Sequence, residues 1–134
     1  MKIVTSRFSY KIPADKYVGV GIAVGKPKWE LPYECEHLNT LAPYGIFKKY
    51  TGEEYKKHYF SRLDKIGTEK IREQLAEISK RHGNKDVALL CWENLNKGLT
   101  CHRRYFAEWW QEKTGEEIEE LEGQNKQYEQ YSLF

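Results

Sequence analysis

The sequence predicts an α/β domain, a small three-layer or Rossmann-like fold with a mostly parallel sheet. Three observations predict it. The first is order: two strand candidates precede a pair of helix-like stretches, and a further strand and helix follow. The second is the run Asp86-Val87-Ala88-Leu89-Leu90-Cys91-Trp92. It lacks polar alternation between Val87 and Trp92, which suits a strand covered on both faces, as in a parallel sheet. The third is composition. With 134 residues, 40% hydrophobic and 31% charged, the chain has the length of one domain and can bury a core.

Each element has a local reason. Lys2 to Phe8 is the first strand, and a loop around Pro13-Ala14-Asp15 follows. In the second strand, Tyr17 to Val24, the residues Val18, Val20, Ile22 and Val24 alternate with Gly19, Gly21 and Ala23. Small residues on one face point to close approach of a helix or a ligand. Pro27, Pro32 and Pro43 make residues 26–44 mostly loop. Tyr44 to Tyr50 is expected to form a short helix. Thr51-Gly52-Glu53-Glu54 reads as a capping box. The helix it opens carries Tyr55, Tyr59 and Leu63 at helical spacing and ends at Gly67. Thr68 caps the next helix, which places Ile71, Leu75 and Ile78 on one face; Lys80-Arg81-His82 suit its dipole and Gly83 ends it. After Trp92, Thr100 is the N-cap of a helix from Cys101 to about Lys113, with Phe106, Trp109 and Trp110 as its apolar stripe and Thr114-Gly115 as its stop. Glu117 to Leu121 fits a short edge strand. A polar, part-ordered tail starts at about residue 123. No repeat or linker divides the chain, so residues 1–134 read as a single domain.

Composition also excludes classes. The net charge is +2, from 22 basic and 20 acidic residues, so no sequence-wide nucleic-acid footprint dominates, although a local basic patch is compatible with it. No apolar run approaches the ~20 residues of a membrane helix, so no membrane partner is expected. Met1-Lys2-Ile3-Val4-Thr5-Ser6 is too short and polar for a signal peptide. The expected setting is a reducing cytoplasm, where the three cysteines would be free thiols. Aromatic residues reach 14%, which serves either an aromatic-rich core or a pocket that stacks planar ligands.

In a parallel sheet, ligands bind beyond the carboxyl ends of the strands. That rule selects Cys91 at a strand end and Cys101-His102-Arg103-Arg104 in the first turn of the next helix. A helix N-terminus flanked by arginines holds anions, and it lowers the pKa of a thiol placed there. Cys101 would be the nucleophile, His102 the general base or the thiol's hydrogen-bond partner. Two arginines in a first turn oppose the helix dipole, so they need a bound anion or a carboxylate such as Glu93. The plain alternative is that Cys91 packs in the core, Cys101 fills the helix start, and His102 lies on the surface. Ser6 and Arg7 follow the first strand. Lys26 and Lys28, flanking Pro27 before Trp29, would make a basic rim with an indole face, suited to a phosphate joined to a planar base; otherwise they are solvated charges. Trp92 offers a second indole. Cys91, Cys101 and His102 have the chemistry of zinc ligands, with Cys35 or His37 as a fourth. Their spacing fits no standard finger, so no metal and no cofactor is expected. Gly19, Gly21 and Gly25 lack the spacing of a dinucleotide fingerprint.

Several stretches resemble the domain-of-unknown-function family 488, in its short subgroup: Thr5-Ser6-Arg7-Phe8, Pro27-Lys28-Trp29, Leu41-Ala42-Pro43, Ala88-Leu89-Leu90-Cys91-Trp92-Glu93 and Cys101-His102-Arg103. The resemblance covers nearly the whole chain. It implies a small α/β protein with an active centre at the Cys-His-Arg motif and a role on nucleotides or nucleic acid. It marks Cys91, Cys101, His102 and Arg103, with Ser6, Arg7, Pro27 and Trp29 in support. Relatives often carry an Arg before the Pro-Lys-Trp stretch, where this chain has Ala23-Val24-Gly25.

Three functions are then compatible with the residues. The first is an enzyme on a nucleotide-like or phosphorylated substrate, with Cys101, His102, Cys91 and Glu93 catalytic and Arg103, Arg7, Ser6, Lys26, Trp29 and Trp92 binding. The second is a non-catalytic nucleotide or nucleic-acid binding module that uses the same pocket. The third is a redox thiol pair, Cys91 with Cys101. Arg103→Ala is expected to weaken ligand binding without unfolding the domain, and Cys101 to be the most reactive thiol.

Overall fold

The computed structural model describes residues 1–92 and 102–121, and its strands are β1 (Ile3–Arg7), β2 (Tyr17–Gly21), β3 (Cys35–His37), β4 (Asp86–Cys91) and β5 (Glu119–Glu120). The first, second and fourth form where apolar residues recur; the third and fifth are short and polar. They make one sheet in the order β3-β2-β4-β1-β5. Every pairing is parallel, including Ile3↔Val87 through Arg7↔Cys91 and Tyr17↔Asp86 through Gly21↔Leu90. β4 is central because its run is apolar on both faces; Val87 through Cys91 are all buried. With every strand parallel, Arg7, Gly21, His37, Cys91 and Glu120 end along one edge.

The two faces are covered differently. Ile3, Val18, Val20, Val87 and Leu89 pack against α1 (Gly52–Ile66), α2 (Thr68–Arg81) and α3 (His102–Thr114), which contribute Tyr59, Leu63, Ile71, Leu75, Phe106 and Trp110 to the same cluster. On the other face, Val4, Ala88 and Leu90 lie under Phe8, Ile12, Leu31 and Tyr33, which come from the connections after β1 and β2. The layers are therefore helices, sheet and loops. Gly19 and Gly21 leave room for side chains packed against β2. A Cβ at Gly19 would stand 2.8 Å from Leu90 Cδ1 and 2.9 Å from Tyr33 Cε2, and one at Gly21 would strike the His37 ring. Tyr33 of the loop layer and side chains of the flanking strands, not a helix, make the close approach.

The differences from expectation have local causes. Residues 26–44 hold β3, whose Cys-Glu-His sequence has no apolar pattern and which pairs on one side only. Residues 44–49 form hydrogen-bonded turns, not a helix, because Gly45 takes φ +76° and leaves the right-handed region. Thr51 occupies the N-cap of α1, yet its side chain makes no capping hydrogen bond. Gly67, at φ +88°, is the C-cap of α1 and the N-cap of α2, so Thr68 is the first helical residue and not the cap. His82 fastens the end of α2 to β3: its Nδ1 meets Glu34 at 2.6 Å and its Nε2 meets Glu36 at 2.7 Å. These carboxylates raise the His82 pKa.

Candidate functional site

The first turn of α3 is polar and buried. His102 donates its Nε2 proton to the Ile22 carbonyl at 2.6 Å and stands edge-on to Tyr59, with ring centroids 5.6 Å apart. Burial pulls its pKa down to about 4, with Arg103 adding to the effect and the carbonyl opposing it. The ring is neutral at physiological pH and ties α3 to the end of β2. It is not the surface residue that one reading of the sequence allowed.

Arg103 is fully buried. Its Nε donates to both Glu120 oxygens, at 3.1 and 3.2 Å, its Nη2 donates to Oε2 at 3.0 Å, and its Nη1 donates to Cys91 Sγ at 2.8 Å. Arg104 Nη1 donates to Thr5 Oγ1 at 2.8 Å and to the Ile118 carbonyl at 3.1 Å. Thr5 in turn donates to Glu120 Oε1 at 2.6 Å. Burial lowers the Arg104 pKa and Glu120 opposes the shift. Two cations at a helix start need a counter-charge; Glu120, on the edge strand β5, supplies one. Arg103 is thus part of the packing, and its truncation to Ala would strand the Glu120 carboxylate. That differs from the expectation of weakened binding in an intact fold.

Cys91 is buried and disulfide-bonded, where the sequence analysis expects a free thiol. An odd cysteine count accommodates one bond and one free thiol, and Cys35 is the free cysteine among the described residues. Cys101 and Glu93, the expected nucleophile and carboxylate, lie outside the described residues, as do the N-cap Thr100 and the tail from residue 123.

The loop side of the same edge is exposed. Trp29 is 50% and Trp92 40% accessible, and their rings meet edge to face at 5.6 Å and 71°. Phe8 supports Trp92 at 4.9 Å and His37 at 5.9 Å. Beside them lies a cleft of about 330 Å³ lined by Lys26, Trp29, Tyr33, Cys35 and His37, among others. Burial, and then Lys26, lower the His37 pKa. Burial, with Glu36 assisting, pushes the Cys35 thiol up to about 11, so it stays protonated and unreactive. Tyr33 donates to the Phe8 carbonyl at 2.9 Å, and burial raises its pKa. Among the described residues that line it, the cleft at neutral pH therefore presents Lys26 as its cation, beside neutral and aromatic groups.

The candidate residues separate accordingly. Lys26, Trp29 and Trp92 come together, and Lys28 is exposed in the same loop. Ser6 is buried on the loop face beside Leu90 in register, and its Oγ has no hydrogen-bond partner among the described residues. Arg7, half-buried, pairs in register with Cys91. His102 and Arg103 pack on the helix side. Sequence reasoning missed Tyr33 and Phe8, and gave Cys35 and His37 only a zinc role. The Cys-x-His alternation facing Gly19 and Gly21 was the available signal. Among the described residues, no three or more His, Cys, Asp or Glu side chains converge as metal ligands, and no helix is long and apolar enough to cross a membrane. No family model, no curated protein and no solved structure matches the chain.

Proposed function

We propose that the protein is a binding module for a nucleotide-like or phosphorylated ligand, held at the loop side of the sheet's carboxyl edge. One observation carries this reading: two exposed indoles meet edge to face, and one of them, Trp29, lines a cleft together with Lys26. An exposed aromatic pair is a stacking surface for a planar base, and an ammonium beside it suits a phosphate. Lys28 adds charge at the rim. Kinship with the domain-of-unknown-function family 488 belongs to the same proposal and rests on the motifs around Ser6, Trp29, Cys91 and His102.

Binding is favoured over catalysis because His102, the expected acid–base, is buried and donates its Nε2 proton to the Ile22 carbonyl. The redox reading has one observation in its favour, the disulfide at Cys91 with the Arg103 guanidinium on its sulfur. A neighbouring cation stabilises the thiolate released when a dithiol reduces such a bond.

The test is titration of intrinsic tryptophan fluorescence with a purine mononucleotide and, separately, with inorganic phosphate. Quenching by the nucleotide that weakens in both Trp29→Ala and Lys26→Ala supports the proposal. Absence of quenching, or quenching unchanged in both variants, overturns it.

A further inference from the structure

A second cleft opens on the helix side, between the turns at residues 43–50 and the second half of α1, with a volume of about 380 Å³. Ile46 is its buried apolar wall. Tyr50 and His58 stack face to face within it, centroids 3.8 Å apart and 14° between planes. Ser61, Arg62 and Lys65 continue along α1 at the three- and four-residue spacing that keeps side chains on one face. Arg62 is set in place by donating Nη1 to the Ala42 carbonyl at 3.1 Å, while Lys65 is exposed.

Among the described residues, no carboxylate lines this cleft. Glu54 stands one turn before His58, outside the lining. Asp64 is engaged elsewhere, accepting from Trp109 Nε1 at 2.8 Å and pairing with Lys113 at 3.5 Å. Outside the lining, the turns that supply Gly45, Ile46 and Tyr50 carry two exposed rings, Tyr44 at 45% and Phe47 at 41%. Lys48 sits 5.5 Å from the Phe47 centroid and Lys49 5.6 Å from that of Tyr50. Cations without partner acids among the described residues, with exposed rings beside them, are the pattern of a surface that takes phosphates and bases together.

We propose that this cleft binds single-stranded nucleic acid, with Arg62 and Lys65 on phosphates and Phe47 and Tyr44 stacking bases. The site shares no residue with the Trp29 cleft. A duplex keeps its bases stacked on one another and offers no face to Phe47, and an acidic peptide would satisfy the cations yet leave both rings in water.

The experiment is fluorescence anisotropy of a labelled oligo-dT strand with the full chain across a salt series. Contact with two or three phosphates predicts a log–log salt slope of about −1.4 to −2.1. Lys65→Ala is expected to make that slope shallower by about 0.7. Phe47→Ala removes one stacked base and is expected to weaken binding roughly fivefold or more. Lys70→Ala, a charge lost from α2, is expected to leave the oligonucleotide affinity unchanged. Equal binding of a duplex, equal competition by polyglutamate, or an unchanged affinity in Phe47→Ala would overturn the proposal.

Discussion

The first turn of α3 and the loop-side rim of the sheet belong to the same carboxyl edge, and they treat polar groups in opposite ways. In the α3 turn, Arg103 and His102 are buried and Arg104 is half-buried, and each is engaged by a protein partner: Glu120, Thr5 or the Ile22 carbonyl. At the rim, Trp29, Trp92 and Lys26 are exposed, and Trp29 and Lys26 line a cleft. A cation already held by a bidentate carboxylate has little capacity left for a ligand. An exposed indole has lost hydrophobic stabilisation that a stacking ligand would restore. The residues with the most chemical character in the sequence thus hold the fold together, while a less distinctive Lys-Pro-Lys-Trp stretch faces solvent.

The largest effect should come from Glu120→Ala. Removing one partner of a buried ion pair leaves an uncompensated charge and costs about 3–5 kcal/mol. Denaturant unfolding should show that loss, while Trp29→Ala, at an exposed position, should stay within about 0.5 kcal/mol. Equal stability of the two variants would break the comparison.

His102 sharpens it through pH. Its folded pKa of about 4 lies below the ordinary histidine value, so between the two the unfolded chain binds a proton that the native state refuses. Stability is full above pH ~6.5 and falls as pH drops toward ~4, by roughly 3 kcal/mol at about 1.4 kcal/mol per unit. Carboxylates whose pKa the fold lowers, such as Glu116, act in the same direction. The comparison is therefore the wild-type pH profile against that of His102→Gln, in which this part of the slope should vanish. An identical slope would place His102 in water.

On the rim, Trp29→Ala should reduce mononucleotide affinity by an amount typical of one stacked base, about 1–3 kcal/mol, without moving the melting temperature. Calorimetric titration measures the first and a thermal melt the second. The smallest effect is expected at His82. Its pKa is raised by exposed carboxylates, so its contribution is present below the unfolded pKa and fades as pH rises through the folded one. His82→Gln should therefore destabilise more at pH 5.5 than at pH 8, and the reverse order would remove the clamp between α2 and β3.

How much of this the sequence disclosed depends on range. β4, α2 and α3 were legible because their patterns are local: an unbroken apolar run, Ile71-Leu75-Ile78 at helical spacing, and Phe106 with Trp109 and Trp110. β3 was not, since three residues on a sheet edge carry no period. The loss of a helix at 44–50 turned on the left-handed Gly45, which no neighbour announces. At the site, the need for a counter-charge to Arg103 and Arg104 was legible, but its source was not. Glu120 lies seventeen residues beyond Arg103 and reaches it only because β5 pairs with β1. The glycine face of β2 announced a close approach without naming Tyr33 and His37 as what approaches.

The central claim is that ligand meets the exposed rim and not the α3 turn, and the chain's four tryptophans allow one direct test. Two, Trp29 and Trp92, stand exposed at the rim; the other two, Trp109 and Trp110, are buried on α3, with Trp109 bonded to Asp64. Heteronuclear NMR resolves one indole N–H resonance for each. On addition of a purine mononucleotide, the account predicts that the Trp29 and Trp92 resonances shift in proportion to occupancy while those of Trp109 and Trp110 stay fixed. Shifts confined to Trp109 and Trp110, or no shift in any of the four at millimolar nucleotide, would contradict it.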